Sequence, residues 1–218
     1  MAVSVLLTGF GPFPGASVNP TGPLVQALAR QRRGPFGRIR CTAHVLRTSY
    51  AAADELPTLI NCHRPDAILM FGLATRSKVL RIERRARNVA STTAPDIDGC
   101  TWAAGCISPG AVASLGGRAP FARLLTAARA AGVPVRLSDD AGTYLCNYAY
   151  WRVLEATAAA PQPPPTVFVH VPPVDRPGSM TFADLIRAGE AMLLALAAAV
   201  HRGGGHCPIP ARLAWRAP

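Results

Sequence analysis

The run AILMF, residues 67–71, contains no polar residue and shows no alternation. A strand with one face in water alternates apolar and polar side chains, whereas an unbroken apolar strand is covered on both faces, as in a parallel sheet. The run VFVHV, residues 167–171, has the same character apart from one histidine. Outward from these two, the second of which extends over 166–171, short runs rich in β-branched or apolar residues fall at 3–7, 39–46, 79–82 and 133–137. Between them lie helix-like stretches at 21–31, 50–62, 120–131, 144–158 and 182–200, of which LIRAGEAMLLALAAAV is the clearest, built of strong helix formers without a proline. Strands alternating with helices are the rhythm of βα units around a mostly parallel sheet, so the expected fold class is α/β.

The 218 residues suffice for one sizeable core and do not force a second domain. We expect one domain over 1–201, followed by a Gly/Pro-rich tail over 202–218. Three other segments read as irregular: GFGPFPGASVNPTGP at 9–23, the Gly/Ser/Thr-rich stretch 91–117, and the stiff linker APQPPP at 160–165. No run approaches the ~18 apolar residues of a membrane helix, and the chain opens on a strand-like segment rather than a basic leader. The expectation is a soluble cytoplasmic protein with no membrane partner.

A net charge of +11 raises nucleic acid as a partner. The basic residues argue against it, because Lys78 is the single lysine among 23 and the arginines are scattered among alanine and proline instead of forming a tract. Six cysteines without a CxxC pair suggest neither a disulfide framework nor a structural zinc site, and His206 beside Cys207 has no partner cluster. No metal or cofactor is expected.

Ligands of open α/β sheets gather at the carboxyl ends of the strands. One feature there is SDDAGTYLCNYAYWRVL, 138–154, in which AGT supplies a turn and Cys146 enters the first helical turn. The helix dipole and free N–H groups at such a position favour a thiolate and can form an oxyanion hole. The competing reading is an inert core thiol, and local pattern alone does not displace it. His170, near the end of the last strand, reads either as a core histidine or as the general base for a cysteine. A carboxylate should orient that imidazole, and Glu83, Asp139, Asp140 and Asp175 all qualify.

Four blocks, taken together, resemble the pyroglutamyl peptidase I family of cysteine peptidases. LLTGFGPFPGASVNP matches the family's LLTGFxPFxGxxxNP, ERRARN its ERxAxN, SDDAGTYLCNYAYW its SxxAGTxxCNxxxY, and FVHVP its FIHxP. They keep the family order and reach from Leu6 to about Pro172. The resemblance implies a single-domain α/β/α sandwich around a twisted, mostly parallel mixed sheet, assembly into homo-oligomers, and no cofactor. It implies Cys146 as nucleophile, His170 as general base and Glu83 as the orienting carboxylate. A substrate pocket lined by Phe10 and Phe13 is also implied, with Asn19 holding the loop or the substrate. Aromatic faces suit an uncharged lactam ring, and desolvating a charged amino terminus there would be costly.

Two departures stand out. GLATRS replaces the family's GQAGGR, putting Leu73 where a glutamine amide is common, and Thr93 takes the place of an arginine before the PDID segment. Arg87, on the same strand face as Glu83 by even spacing, is the candidate stand-in. The expected activity is removal of an N-terminal pyroglutamyl residue through a thioester acyl-enzyme, with small pyroglutamyl peptides as substrates. The alternatives are a cysteine amidase for another small N-acyl group and a catalytically silent, basic nucleic-acid-binding relative.

Overall fold

The computed structural model describes residues 2–13, 15–174 and 179–203. Its elements in chain order are β1 (Val3–Phe10), α1 (Thr21–Ala29), β2 (Ile39–Leu46), α2 (Tyr50–Asp54), α3 (Leu56–His63), β3 (Ala67–Leu73) and β4 (Leu80–Glu83). There follow β5 (Arg85–Arg87), β6 (Ser114–Gly116), α4 (Phe121–Ala130), β7 (Val135–Ser138), α5 (Leu145–Ala156), β8 (Thr166–Val171) and α6 (Phe182–Gly203). Helix α6 thus runs two residues beyond the expected domain end at 201, and the remainder of the tail, His206 and Cys207 included, lies outside the described residues. No helix among them is long and apolar enough to cross a membrane.

Six strands form one sheet in the order β2-β1-β3-β8-β4-β7. The first four are parallel, β4 meets β8 antiparallel, and β7 runs parallel to β4. This is the expected mixed, mostly parallel sheet. The expected helix over 50–62 is divided at Glu55, because Pro57 in the first turn of α3 has no N–H to give and its ring would crowd the carbonyl four residues back. Part of the expected loop 91–117 also acquires structure, since β6 pairs antiparallel with β5 in a small separate ribbon.

The period-two alternation of the strands divides the interior into two layers. Val3, Val5 and Leu7, Leu69 and Phe71, Leu80 and Ile82, and Val167, Val169 and Val171 pack with α1, α4 and α6 through Leu24, Leu28, Leu124, Met192 and Leu193. Leu6 and Phe10, Ile68 and Met70, and Phe168 face the opposite way, toward Leu56 and Ile60 of α3 and Tyr148, Tyr150, Trp151 and Leu154 of α5. Parity therefore sends Gly72, Arg81, Glu83 and His170 to the second layer, on the side of α5. That places four residues of one sheet face beneath the helix that carries Cys146.

Candidate active site

The turn into α5 is set by Gly142, whose φ of +86° is open to glycine and strained for other residues. Its N–H donates to Asp140 Oδ1 at 3.0 Å. The helix then starts at Leu145 after an extended Tyr144 that provides no side-chain cap, so Cys146 occupies the first turn as expected. First-turn amides have no acceptor inside the helix and remain available to a ligand. Asn147 fixes the helix to the ERRARN segment: its Oδ1 accepts from the Arg87 N–H at 2.9 Å, and its Nδ2 donates to the carbonyls of Arg87 and Val89 at 2.8 and 2.9 Å. Tyr150, one helical turn on, donates its hydroxyl to the Glu83 carbonyl at 3.1 Å. The same helix thus holds the thiol and clamps the strand that bears the glutamate.

His170 and Glu83 lie diagonally across the antiparallel β8–β4 pair, whose register sets Arg81 opposite His170 and Glu83 opposite Phe168. Diagonal neighbours two residues apart are within reach of long side chains. The His170 Nδ1–H donates to Glu83 Oε1 at 2.8 Å, with the two residues 4% and 0% exposed. This hydrogen bond sets the tautomer that leaves Nε2 as a proton acceptor. The competing aspartates are committed elsewhere: Asp139 pairs with Arg84 and Asp140 with Arg87. Asp175 lies outside the described residues.

Cys146 and His170 line one cavity of about 540 Å³, together with Leu73, Arg81, Arg136 and Tyr144. Gly72, the register partner of His170, marks where the thiol sits. A Cβ on Gly72 would come within 2.7 Å of Cys146 Sγ and 2.6 Å of the Phe168 ring, so a side chain at 72 would collide with both. The sulfur therefore rests on the strand next to the histidine, in a gap that only glycine leaves open.

The electrostatics differ from the expectation of a resting thiolate. Burial, followed by the Glu83 charge, pushes Cys146 up to about 12, and Arg81 opposes this only in part. Burial also lowers His170, against the upward pull of Glu83. Desolvation penalises both charged forms, so the free site rests as a neutral thiol beside a neutral imidazole.

Other expected residues are distributed differently. Phe10 is buried in the layer beneath α3 and α5, and with Asn19 it borders a separate hollow that does not include Cys146. Asn19 holds the loop: Nδ2 donates to the Gly11 carbonyl at 2.9 Å, while Oδ1 accepts from the Thr21 N–H at 3.1 Å and its hydroxyl at 2.8 Å. Phe13 lines a further hollow bordered by Leu73 and Thr75, two residues that also border the Cys146 cavity. Only Phe13 of the three therefore adjoins the thiol's cavity. Arg87, the expected stand-in, pairs with Asp140 at 2.7 Å and donates to the carbonyl of Gly142, a residue of the cavity wall, at 3.4 Å, but does not itself line the cavity.

Arg81 occupies the site instead, with Nε 3.2 Å from Glu83 Oε1 and Nη2 3.2 Å from His170 Nδ1. With Nδ1 protonated for Glu83, that second contact places positive charge against the imidazole and disfavours its cationic form. In the sequence Arg81 is one of several arginines around Glu83, and nothing in composition sets it apart. Its position two residues before Glu83, and so on the same strand face, is the one signal that could have found it. Among the described residues no three His, Cys, Asp or Glu side chains are grouped to hold a metal ion.

A thiol on a first helical turn, an imidazole in the same cavity and a buried carboxylate on the far nitrogen of that imidazole are the components of a cysteine-dependent hydrolase. The family is specific. Residues 3–185 match the family model described as pyroglutamyl peptidase, and the chain belongs to that family. It is 32% identical over 198 residues to the pyrrolidone-carboxylate peptidase of Thermococcus onnurineus, covering 88% of this chain and 97% of the relative. The enzyme of the same name from Gloeobacter violaceus is 32% identical over 197 residues, covering 87% of this chain and 94% of its own. The crystal structure of Bacillus amyloliquefaciens pyroglutamyl peptidase I superposes with a TM-score of 0.81 at 26% identity, over 90% of this chain and 97% of that one. A mutant pyrrolidone carboxyl peptidase from Pyrococcus furiosus gives 0.80 at 28% identity, over 89% and 98%.

Proposed function

We propose that this chain is a cysteine omega-peptidase that hydrolyses the bond after an N-terminal pyroglutamyl residue, with Cys146 as nucleophile, His170 as general base and then acid, and Glu83 as the orienting carboxylate. The observation that carries the assignment of roles is the 2.8 Å contact of buried Glu83 with His170 Nδ1, in a histidine that shares its cavity with Cys146. Family membership favours this reading over an amidase for another acyl group and over a silent nucleic-acid binder.

In this mechanism His170 Nε2 takes the thiol proton as Sγ bonds to the pyroglutamyl carbonyl carbon. Amides of the first turn of α5 stabilise the oxyanion, which requires no protein reorganisation because they are fixed by the helix. His170 then gives the proton to the departing amine as the C–N bond breaks, leaving a thioester. Water deprotonated by His170 adds to the thioester carbon, the C–S bond breaks, the proton returns to Sγ and pyroglutamate leaves. Proton transfer is coupled to attack because the resting pair is neutral. An uncharged lactam suits the side of the cavity toward Leu73, Phe13 and Pro173, where no charged residue among the described residues lines the wall to read an ammonium group.

The test is release of fluorophore from a pyroglutamyl coumarin amide by the purified wild-type chain. Cleavage with no turnover of the open-chain glutamyl and N-acetylalanyl amides is expected. A folded protein that leaves the pyroglutamyl amide intact would overturn the proposal.

A further inference from the structure

The cavity that holds Cys146 and His170 is bordered, among the described residues, by Arg76, Lys78, Arg81 and Arg136 and by no aspartate or glutamate. Arg81 lies against Glu83 behind the histidine. Arg76, Lys78 and Arg136 are exposed and have no ion-pair partner among the described residues.

Strand register turns this composition into a direction. Gly72 pairs with His170, His170 with Arg81, and Arg81 with Arg136, so one row crosses β3, β8, β4 and β7 on the face under α5. Arg81 already has the Glu83 carboxylate against it, so Arg136, directly opposite on β7, is the charge of this like-charged pair left for an anion above the row. Neighbouring strands are about 4.8 Å apart, which places the two arginine strands roughly 5 and 10 Å beyond the histidine strand. An extended peptide advances about 3.5 Å per residue. A carboxylate in the first or second residue after the scissile bond would therefore fall over this row.

The row also lies on the correct side. His170 must reach the departing amine, so the leaving peptide passes over the histidine while the lactam lies toward Leu73 and Phe13. We infer that Arg81 and Arg136, flanked by Arg76 and Lys78, form a leaving-group subsite that selects pyroglutamyl peptides carrying a carboxylate within two residues of the scissile bond. The inference rests on the function proposed above. The carboxylate can be the free terminus of a short peptide or an acidic side chain, and both present the same charge to the row.

Four substrates separate these sources: pyroglutamyl-alanine against its amide, and pyroglutamyl-aspartate amide against pyroglutamyl-asparagine amide. At low ionic strength kcat/KM should favour the charged member of a pair by about fivefold, the scale of two exposed charge contacts. The preference should shrink as salt is raised to 0.5 M, where exposed charges are screened within about 4 Å. Arg136→Gln should reduce the ratio and Arg136→Lys should largely keep it. A preference in the first pair assigns the subsite to the chain terminus, and one in the second to a side chain. Equal turnover within both pairs overturns this inference and leaves the peptidase reading standing. Absence of turnover for all four substrates overturns both.

Discussion

Cys41 on β2 and Cys146 on α5 are both half-buried thiols, and burial is the leading cause that raises each, to about 11 and about 12. By titration alone they are the same kind of residue. Their surroundings are not: Cys41 packs against the apolar layer of α1, α4 and α6, with the Arg32 charge as its one opposing influence. Cys146 shares a cavity with an imidazole whose far nitrogen is held by a buried carboxylate. On the proposed mechanism, the comparison teaches that a raised pKa need not make a buried thiol inert. The proposed base, His170, shares the cavity of Cys146 and would take its proton during the reaction, whereas among the described residues no imidazole lines a cavity with Cys41.

The largest effect that can break the comparison is deletion of the thiol. Cys146→Ala should lower turnover of a pyroglutamyl amide by at least about 10⁴-fold, as for removal of a nucleophile that works as a unit with its base. Retention of more than a small residue of activity in single-turnover assays would remove Cys146 from the mechanism. Next comes Glu83→Gln, which keeps the shape but not the charge that fixes the tautomer and supports the imidazolium. A fall in kcat of about 10²- to 10⁴-fold is expected, with an unchanged far-ultraviolet circular dichroism spectrum.

Gly72→Ala probes the gap under the sulfur. Because the added methyl meets the Phe168 ring and Cys146 Sγ, it should cost about 1–3 kcal/mol in denaturant melts and lower turnover by displacing the thiol.

The pH profile sharpens the same contrast. His170 is depressed below its ordinary 6.5 by burial. Its neutral, base-competent form therefore persists below that value, and kcat/KM should fall on the acid side with an apparent pKa under 6.5. For the same group the stability contribution is present above 6.5 and is lost as pH falls through the depressed value. An acid limb centred above 7 would contradict the buried neutral imidazole. The smallest effect belongs to the other thiol. Cys41→Ala should change stability by about 1 kcal/mol and leave the Michaelis parameters for the pyroglutamyl amide unaltered.

The strands are largely legible in the sequence, because AILMF and VFVHV carry the unbroken apolar pattern of strands covered on both sides. The break between α2 and α3 is written there too, in Pro57, but the longer helical pattern around it masks the signal. At the site, the four blocks of family resemblance point to Cys146, His170 and Glu83, and the fold brings these to one place. Phe10 and Asn19 are less legible, since a motif tells that residues recur together without telling which line a cavity and which hold a loop. Arg87 and Arg81 stand on one strand face by spacing, but the first pairs with Asp140 at the cavity wall and β8 register brings the second to His170.

The sequence by itself determined the α/β class, the position of Cys146 on a first helical turn, and the family. These follow from short-range pattern, turn chemistry and ordered motifs, which need no knowledge of what lies across a strand. Tertiary structure decided what Cys146 meets. The antiparallel pairing of β4 with β8 sets Glu83 diagonal to His170 and Arg81 opposite it. Gly72 opens the space for the sulfur, and burial keeps the resting pair neutral. Strand register and desolvation depend on residues far apart in the chain, and a linear reading of composition and spacing does not contain them.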